Sequence, residues 1–114
     1  DWSSDVCSSD LFEIHVYPVR HVPCFAQAAE RELADLATLL RRVLRRLKHT
    51  IGDAPSNWVF DSAVAREQES PLLHWRLRIC PVLAVPGGFE LSAGIPINPS
   101  LPEEDARALR SAAP

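Results

Sequence analysis

Leu72-Leu73-His74-Trp75-Arg76-Leu77-Arg78-Ile79-Cys80, closed by Pro81, decides how the rest of the chain is read. From Leu73 on, apolar and polar residues alternate without a break, the two-residue period of a strand buried on one face. Leu73, Trp75, Leu77 and Ile79 project one way, and His74, Arg76, Arg78 and Cys80 the other. Pro81 has no N–H to give to a ladder, so the strand stops there. A sheet with one apolar face needs an amphipathic element laid over it. Glu30 to Lys48 supplies it: Leu33, Leu36, Ala37, Leu40, Val43, Leu44 and Leu47 recur at helical spacing as one stripe. Glu30, Glu32 and Asp35 near the start, and Arg41, Arg42, Arg45, Arg46 and Lys48 near the end, suit the helix dipole. Gly52 gives a stop signal.

Outward from this pair, Phe12-Glu13-Ile14-His15-Val16-Tyr17 alternates as a second half-buried strand, with Phe12, Ile14 and Val16 on one face and Pro18 at its end. Arg20 to Phe25, with Pro23, reads as a loop. Asn57-Trp58-Val59-Phe60 is a short strand, and Asp61 to Pro71 an exposed polar loop. Pro86-Gly87-Gly88 is a turn, Phe89 to Leu91 is strand-like, and the prolines make Ala93 to Pro99 irregular. Ser100 with Glu103 fits a capping box before a short final helix, Glu103 to Ala112. The expected class is α+β: an antiparallel sheet with one long packed helix and a short C-terminal helix.

Asp1 to Leu11 stands apart. Its first ten residues translate GACTGGAGTTCAGACGTGTGCTCTTCCGAT, and a following CT specifies Leu whatever base completes the codon. That string resembles the end of a common short-read sequencing adapter. Residues 1–11 are therefore expected to be adapter-derived, and the native domain to run over 12–114 in a reading frame that begins further upstream. Without Asp1, Asp5 and Asp10 the 15 acidic residues become 12, equal to the 12 basic ones, and the net charge of −3 becomes zero. A neutral domain whose basic helix face lacks interleaved aromatics is not expected to bind nucleic acid. Cys24 and Cys80 are too few and too far apart for a disulfide framework or a zinc motif, and read as thiols of a reducing cytoplasm. No apolar run approaches the ~20 residues of a membrane span.

The stripe His74-x-Arg76-x-Arg78-x-Cys80 carries the most chemistry. An imidazole, two guanidiniums and a thiol on one face can receive a phosphate, because guanidinium forks match its oxygens. The same residues also suit a solvent-facing or salt-bridged side of a two-faced sheet. Arginine has no lone pair to donate, so the stripe is not a transition-metal site. His15, His21 and His49 are isolated in sequence, and no Ser-His-Asp or Cys-His spacing marks a catalyst.

The ordered series of segments resembles the C-terminal domain of galactose-1-phosphate uridylyltransferase, of the histidine-triad-like superfamily. Phe12-Glu13-Ile14 through Pro18-Val19-Arg20-His21 is similar to the family's strand and "PK.H" turn. The helix follows, then the aromatic strand Asn57-Trp58-Val59-Phe60, then Leu73-His74-Trp75, which opens the "HW" strand. Gly88-Phe89-Glu90-Leu91, Gly94 and Ile97-Asn98-Pro99 resemble a "GFE…G…INP" segment, and Pro102-Glu103-Glu104 opens the closing helix. The resemblance implies a histidine-triad-like sheet and a parent enzyme that moves a nucleoside monophosphate between a nucleotide sugar and a sugar phosphate in galactose metabolism. It also implies that this half is non-catalytic, because the His-Pro-His motif of the family's N-terminal half does not occur here. Partners so implied are that N-terminal half, a second subunit in a homodimer, and the nucleotide sugar or sugar phosphate. His74, Arg76, Arg78, Phe89 and Glu90 are the substrate-contact candidates. Zinc or iron occurs in the family, but its ligand positions correspond here to Asp61, Arg78 and Cys80, so no cofactor is expected. The alternative is a degenerate nucleotide- or phosphate-binding or dimerisation module without chemistry.

Overall fold

The computed structural model describes residues 2–6, 12–95, 97 and 99–112, with side chains from residue 12 onward. Pro96 and Asn98 of the expected irregular segment, the rest of the N-terminal stretch (1 and 7–11), and 113–114 of the expected native span lie outside the described residues. The elements are β1 (Trp2–Val6), β2 (Ile14–Pro18), α1 (Glu30–Ile51), β3 (Ser56–Asp61), β4 (Arg76–Pro81), α2 (Gly88–Ala93) and α3 (Pro102–Ser111). The strands form one sheet in the order β1-β2-β4-β3, with every neighbouring pair antiparallel. The expected α+β class is the one observed.

Alternation in β2 and β4 sends Ile14, Val16, Trp75, Leu77 and Ile79 to a common face, where they meet Leu36, Val43 and Leu47 of α1 and Leu109 of α3. Val16, Leu77 and Ile79 are 0% exposed, and each such side chain removed from water contributes about 1.5–3 kcal/mol. The apolar stripe of α1 is wider than the face it buries. Leu36, Val43 and Leu47 are buried and Leu40 half-buried, whereas Leu33, Ala37 and Leu44 are exposed at its margins. Gly52 ends α1 at φ 76°, a left-handed value open to glycine, and its N–H donates to the Lys48 carbonyl.

Four local expectations shift. β4 begins at Arg76, not Leu72, because its partner β3 ends where Asp61 pairs with Arg76. The preceding residues turn instead toward the loop after β2, where the Trp75 N–H donates to the Val22 carbonyl at 2.9 Å. Phe12 lies before β2 with φ 57°, and the second face of that strand is covered too, since Glu13 and His15 are buried. Phe89 to Leu91 is helical within α2, not strand-like. Glu90 causes this by reaching back to accept the Gly87 N–H at 2.7 Å, which closes a first helical turn. Finally, α3 starts at Pro102 with Leu101 as its cap residue. Proline suits the first helical position, and the Ser100 hydroxyl donates to the Asp105 carboxylate at 2.6 Å rather than capping with Glu103.

The start of α1 is clasped from outside. Glu32 accepts the Ala29 N–H at 2.8 Å and two Arg20 bonds, from Nε and Nη2, each at 2.8 Å. Arg20 first, then the Ala29 N–H, lowers the Glu32 pKa from 4.5 to about 2. A depressed carboxylate contributes stability above its unfolded pKa and loses it as pH falls through the folded value, here from about pH 5 to about 2. Arg20 is half exposed, so solvent screens the clasp. Glu32→Gln is expected to lower Tm at pH 7 by on the order of 4 °C. That difference should close by about pH 2, as melts across a pH series will show.

Candidate functional site

The polar face of the sheet brings together three of the residues singled out from sequence: Asp61, Arg76 and Arg78. β3 and β4 pair so that Asp61 stands opposite Arg76 and two residues from the position opposite Arg78. Opposed and diagonal positions on one face are within side-chain reach. Asp61 Oδ2 accepts from Arg76 Nε at 2.7 Å and from Arg78 Nε at 2.8 Å. The two guanidiniums, Arg76 first, hold the Asp61 carboxyl below the usual carboxylate range, and Asp61 raises Arg78 in return. Across β2, Arg78 Nη1 lies 3.8 Å from Glu13 Oε1, which also accepts from His15 Nε2 at 2.7 Å. Arg76, Asp61, Arg78, Glu13 and His15 thus form one chain of polar contacts over three strands. Two formal positive charges meet two negative ones there, so the face has little net charge for an incoming anion.

His74 is removed from this chain. The Val22 N–H donates to Nδ1 at 3.2 Å, and Nε2 donates to the Pro18 carbonyl at 2.8 Å. These partners specify the Nε2–H tautomer and occupy both ring nitrogens with backbone. His21 stacks on the same ring at 5.1 Å. The imidazole is a tie between β4 and the loop after β2.

Phe89 and Glu90 lie on α2, not beside the arginines in the polar chain. Glu90 closes a second clasp by accepting the Ile97 N–H at 2.9 Å, and its two backbone hydrogen bonds lower its pKa, Ile97 first. A cleft of about 480 Å³ separates α2 from the end of β4, with Asn57, Cys80, Leu83, Val85, Glu90 and Leu91 in its lining. Phe89 is exposed. The structure thus brings together Asp61, Arg76 and Arg78, and separately Cys80 and Glu90. Glu13 and His15 were not singled out as site residues. Their signal was available, since both sit on the second face of an alternating strand.

A zinc or iron ion does not fit Asp61, Arg78 and Cys80. The Asp61 carboxylate is taken by two guanidiniums, and a cation placed on it would meet two fixed positive charges. Arg78 has no lone pair to offer. Among the described residues, no three His, Cys, Asp or Glu side chains gather as a ligand set. Cys24 and Cys80 both carry thiols, and among the described residues no helix is long and apolar enough to cross a membrane.

No family model matches the chain. Over 101 residues it is 35% identical to an ADP-glucose phosphorylase of Arabidopsis thaliana, covering 87% of this chain and 29% of that protein. A crystal structure of an ADP-glucose phosphorylase from the same plant, with bound ADP-glucose, superposes with a TM-score of 0.86 at 29% identity. The match covers 98% of this chain and 38% of the other. A uridylyltransferase mutant gives a TM-score of 0.88 at 27% identity, covering 98% and 40%. A zinc-bound histidine triad family protein from Mycobacterium smegmatis, at 20% identity and a TM-score of 0.61, shares the fold alone. The chain spans well under half the length of the uridylyltransferase and phosphorylase relatives. In sequence and in fold the chain is similar to part of the galactose-1-phosphate uridylyltransferase-like and ADP-glucose phosphorylase proteins, and its fold is histidine-triad-like.

Proposed function

We propose that the chain is the C-terminal, non-catalytic half of a hexose-1-phosphate uridylyltransferase-like enzyme, which acts on nucleotide sugars and sugar phosphates as a cytoplasmic homodimer. In this reading the half supplies substrate contacts and subunit packing, and the missing N-terminal half supplies the nucleophile. The state of His74 carries the proposal. An imidazole with both nitrogens committed to backbone is a poor nucleophile, and arginine at the next two stripe positions cannot replace it. Packing is supported by β3, which ends the sheet and displays Trp58, Val59 and Phe60 at 44%, 37% and 47% exposure. Substrate contact is supported by the cleft under α2, which Glu90 lines, and by the exposure of Phe89 on the same helix.

The purified chain is expected to show no exchange between UDP-glucose and galactose 1-phosphate, followed by product chromatography. Turnover by the isolated chain would sink the non-catalytic assignment. The second reading, a nucleotide- or phosphate-binding module without chemistry, draws on the partial exposure of the Arg76 and Arg78 side chains. Calorimetry with UMP, AMP and sugar phosphates tests it, and an absence of heat at millimolar ligand ends it.

A further inference from the structure

Asp61 sits among cations that cannot leave. Its Oδ2 accepts from Arg76 Nε at 2.7 Å and from Arg78 Nε at 2.8 Å, and its Oδ1 accepts from Arg78 Nη2 at 3.4 Å. Arg78 also faces Glu13, with Nη1 3.8 Å from Oε1. Two carboxylates therefore meet two guanidiniums, the same pair of positive charges that one divalent ion would bring. A metal ion can be lost to a chelator, but a guanidinium is bound to its own backbone and stays charged at any pH the fold survives. The zinc or iron implied by the resemblance would fall at Asp61, Arg78 and Cys80, yet the fold gathers a different trio. Cys80 pairs across to Asn57, four residues along β3 from Asp61, and Arg76 stands in its place beside the carboxylate.

Positions 61, 76 and 78 converge as metal ligands do. Zinc bonds of about 2.0 Å in a tetrahedral set place neighbouring donor atoms roughly 3.3 Å apart. The two Nε–Oδ2 separations fall short of that by only about half an ångström, a gap that small side-chain rotations close. The Nε2 atom of a histidine also lies about as far from its backbone as the Nε of an arginine. What excludes an ion from this place is charge, since a divalent cation there would be repelled by two guanidiniums a few ångströms away.

We infer that Arg76 and Arg78 are the resident cations of this face, tethered charges that take the place of a divalent metal ion between Asp61 and Glu13. They tie β3 to β4, and β4 to the start of β2, without a cofactor. The cross-link is indifferent to metal supply and depends on the arginines' charge.

The test uses the 114-residue chain, with melts followed by circular dichroism and metal content measured after dialysis. Treatment with EDTA, and zinc or ferrous ion added afterwards, are both expected to leave Tm unchanged. Arg76→Gln with Arg78→Gln leaves the carboxylates uncompensated, and Tm is expected to fall by about 4 °C or more. Arg76→Lys with Arg78→Lys keeps both charges without the planar forks, and is expected to recover at least half of that fall. Arg76→His with Arg78→His, beside the native Asp61, is expected to bind one zinc ion and to give a tetrahedral visible spectrum with cobalt(II). Saturating zinc should raise the Tm of that variant by on the order of 5 °C, and Asp61→Asn in the same background should abolish the uptake. Metal held by the native chain and lost in Asp61→Asn overturns the inference, as does a glutamine variant as stable as its parent. A lysine variant no better than the glutamine one overturns the role of charge, and a folded double-histidine chain that takes up no zinc overturns the convergence of the three positions. Every readout is stability or metal content, so failure here and failure of the non-catalytic assignment are told apart.

Discussion

Trp75→Ala is expected to cost about 3–5 kcal/mol, a large part of the ~5–15 kcal/mol that holds a domain of this size. Trp75 is 1% exposed. Its ring meets Phe25 edge-on at 4.9 Å and lies 6.3 Å from Phe60. It therefore joins three parts of the chain: the turn before α1, edge strand β3, and the entry to β4. The neighbours cannot close over the gap, because Trp75 is anchored by its N–H to Val22 and the paired strand beyond it is fixed. Urea titration followed by circular dichroism should show a lower midpoint with an unchanged slope. Trp75→Phe keeps most of the ring volume and should lose less than half as much. A loss under about 1 kcal/mol for the alanine variant would contradict the core assignment.

Asp61→Asn should change the polar face through its charge. It removes the carboxylate between Arg76 and Arg78 and shifts the balance of that face by one positive charge. All three side chains are about a third exposed, so solvent screening holds the stability loss near about 1 kcal/mol. The larger effect is on anions. Calorimetry with phosphate or UMP should show affinity raised by on the order of tenfold, about 1.4 kcal/mol. Unchanged affinity would mean that the guanidiniums stay engaged elsewhere. The pH dependence follows from the lowered Asp61 pKa: its stabilisation is present above the unfolded value and is lost as pH falls through the folded one. The Asn variant should lack that acid-sensitive component.

Period and burial made much of this fold legible. Leu77 and Ile79 alternate with Arg76, Arg78 and Cys80 because one face of β4 meets α1, and the helix declares itself through Leu36, Leu40, Val43 and Leu47. What periodicity could not carry is whatever a single long-range contact decides. Phe89-Glu90-Leu91 has the residues of a short strand, but two hydrogen bonds to Glu90 from Gly87 and Ile97 make it a helix. Asp61 looks like the first residue of a polar loop, and only the β3–β4 register delivers it to two arginines. His74 shows the same limit, since its partners lie 52 and 56 residues away in the chain. The contents of the polar stripe were readable, but their pairing required the fold.

The strand order β1-β2-β4-β3 also governs when this domain can assemble. β2 and β3, joined through α1, lie two places apart with an open slot between them until β4 arrives. A nascent chain emerging at ~5–20 residues per second passes through an interval of about a second or more in which Asp61 is out and Pro81 is not. During that interval the helix has no complete sheet to cover, and Val16 has lost the neighbour that seals it. Closure then joins segments some sixty residues apart, a long-range pairing whose loop-closure entropy is met before its contacts reward it. The central strand arrives late, so a ribosome pause just before Arg76 would leave two unsealed edges open to misassembly.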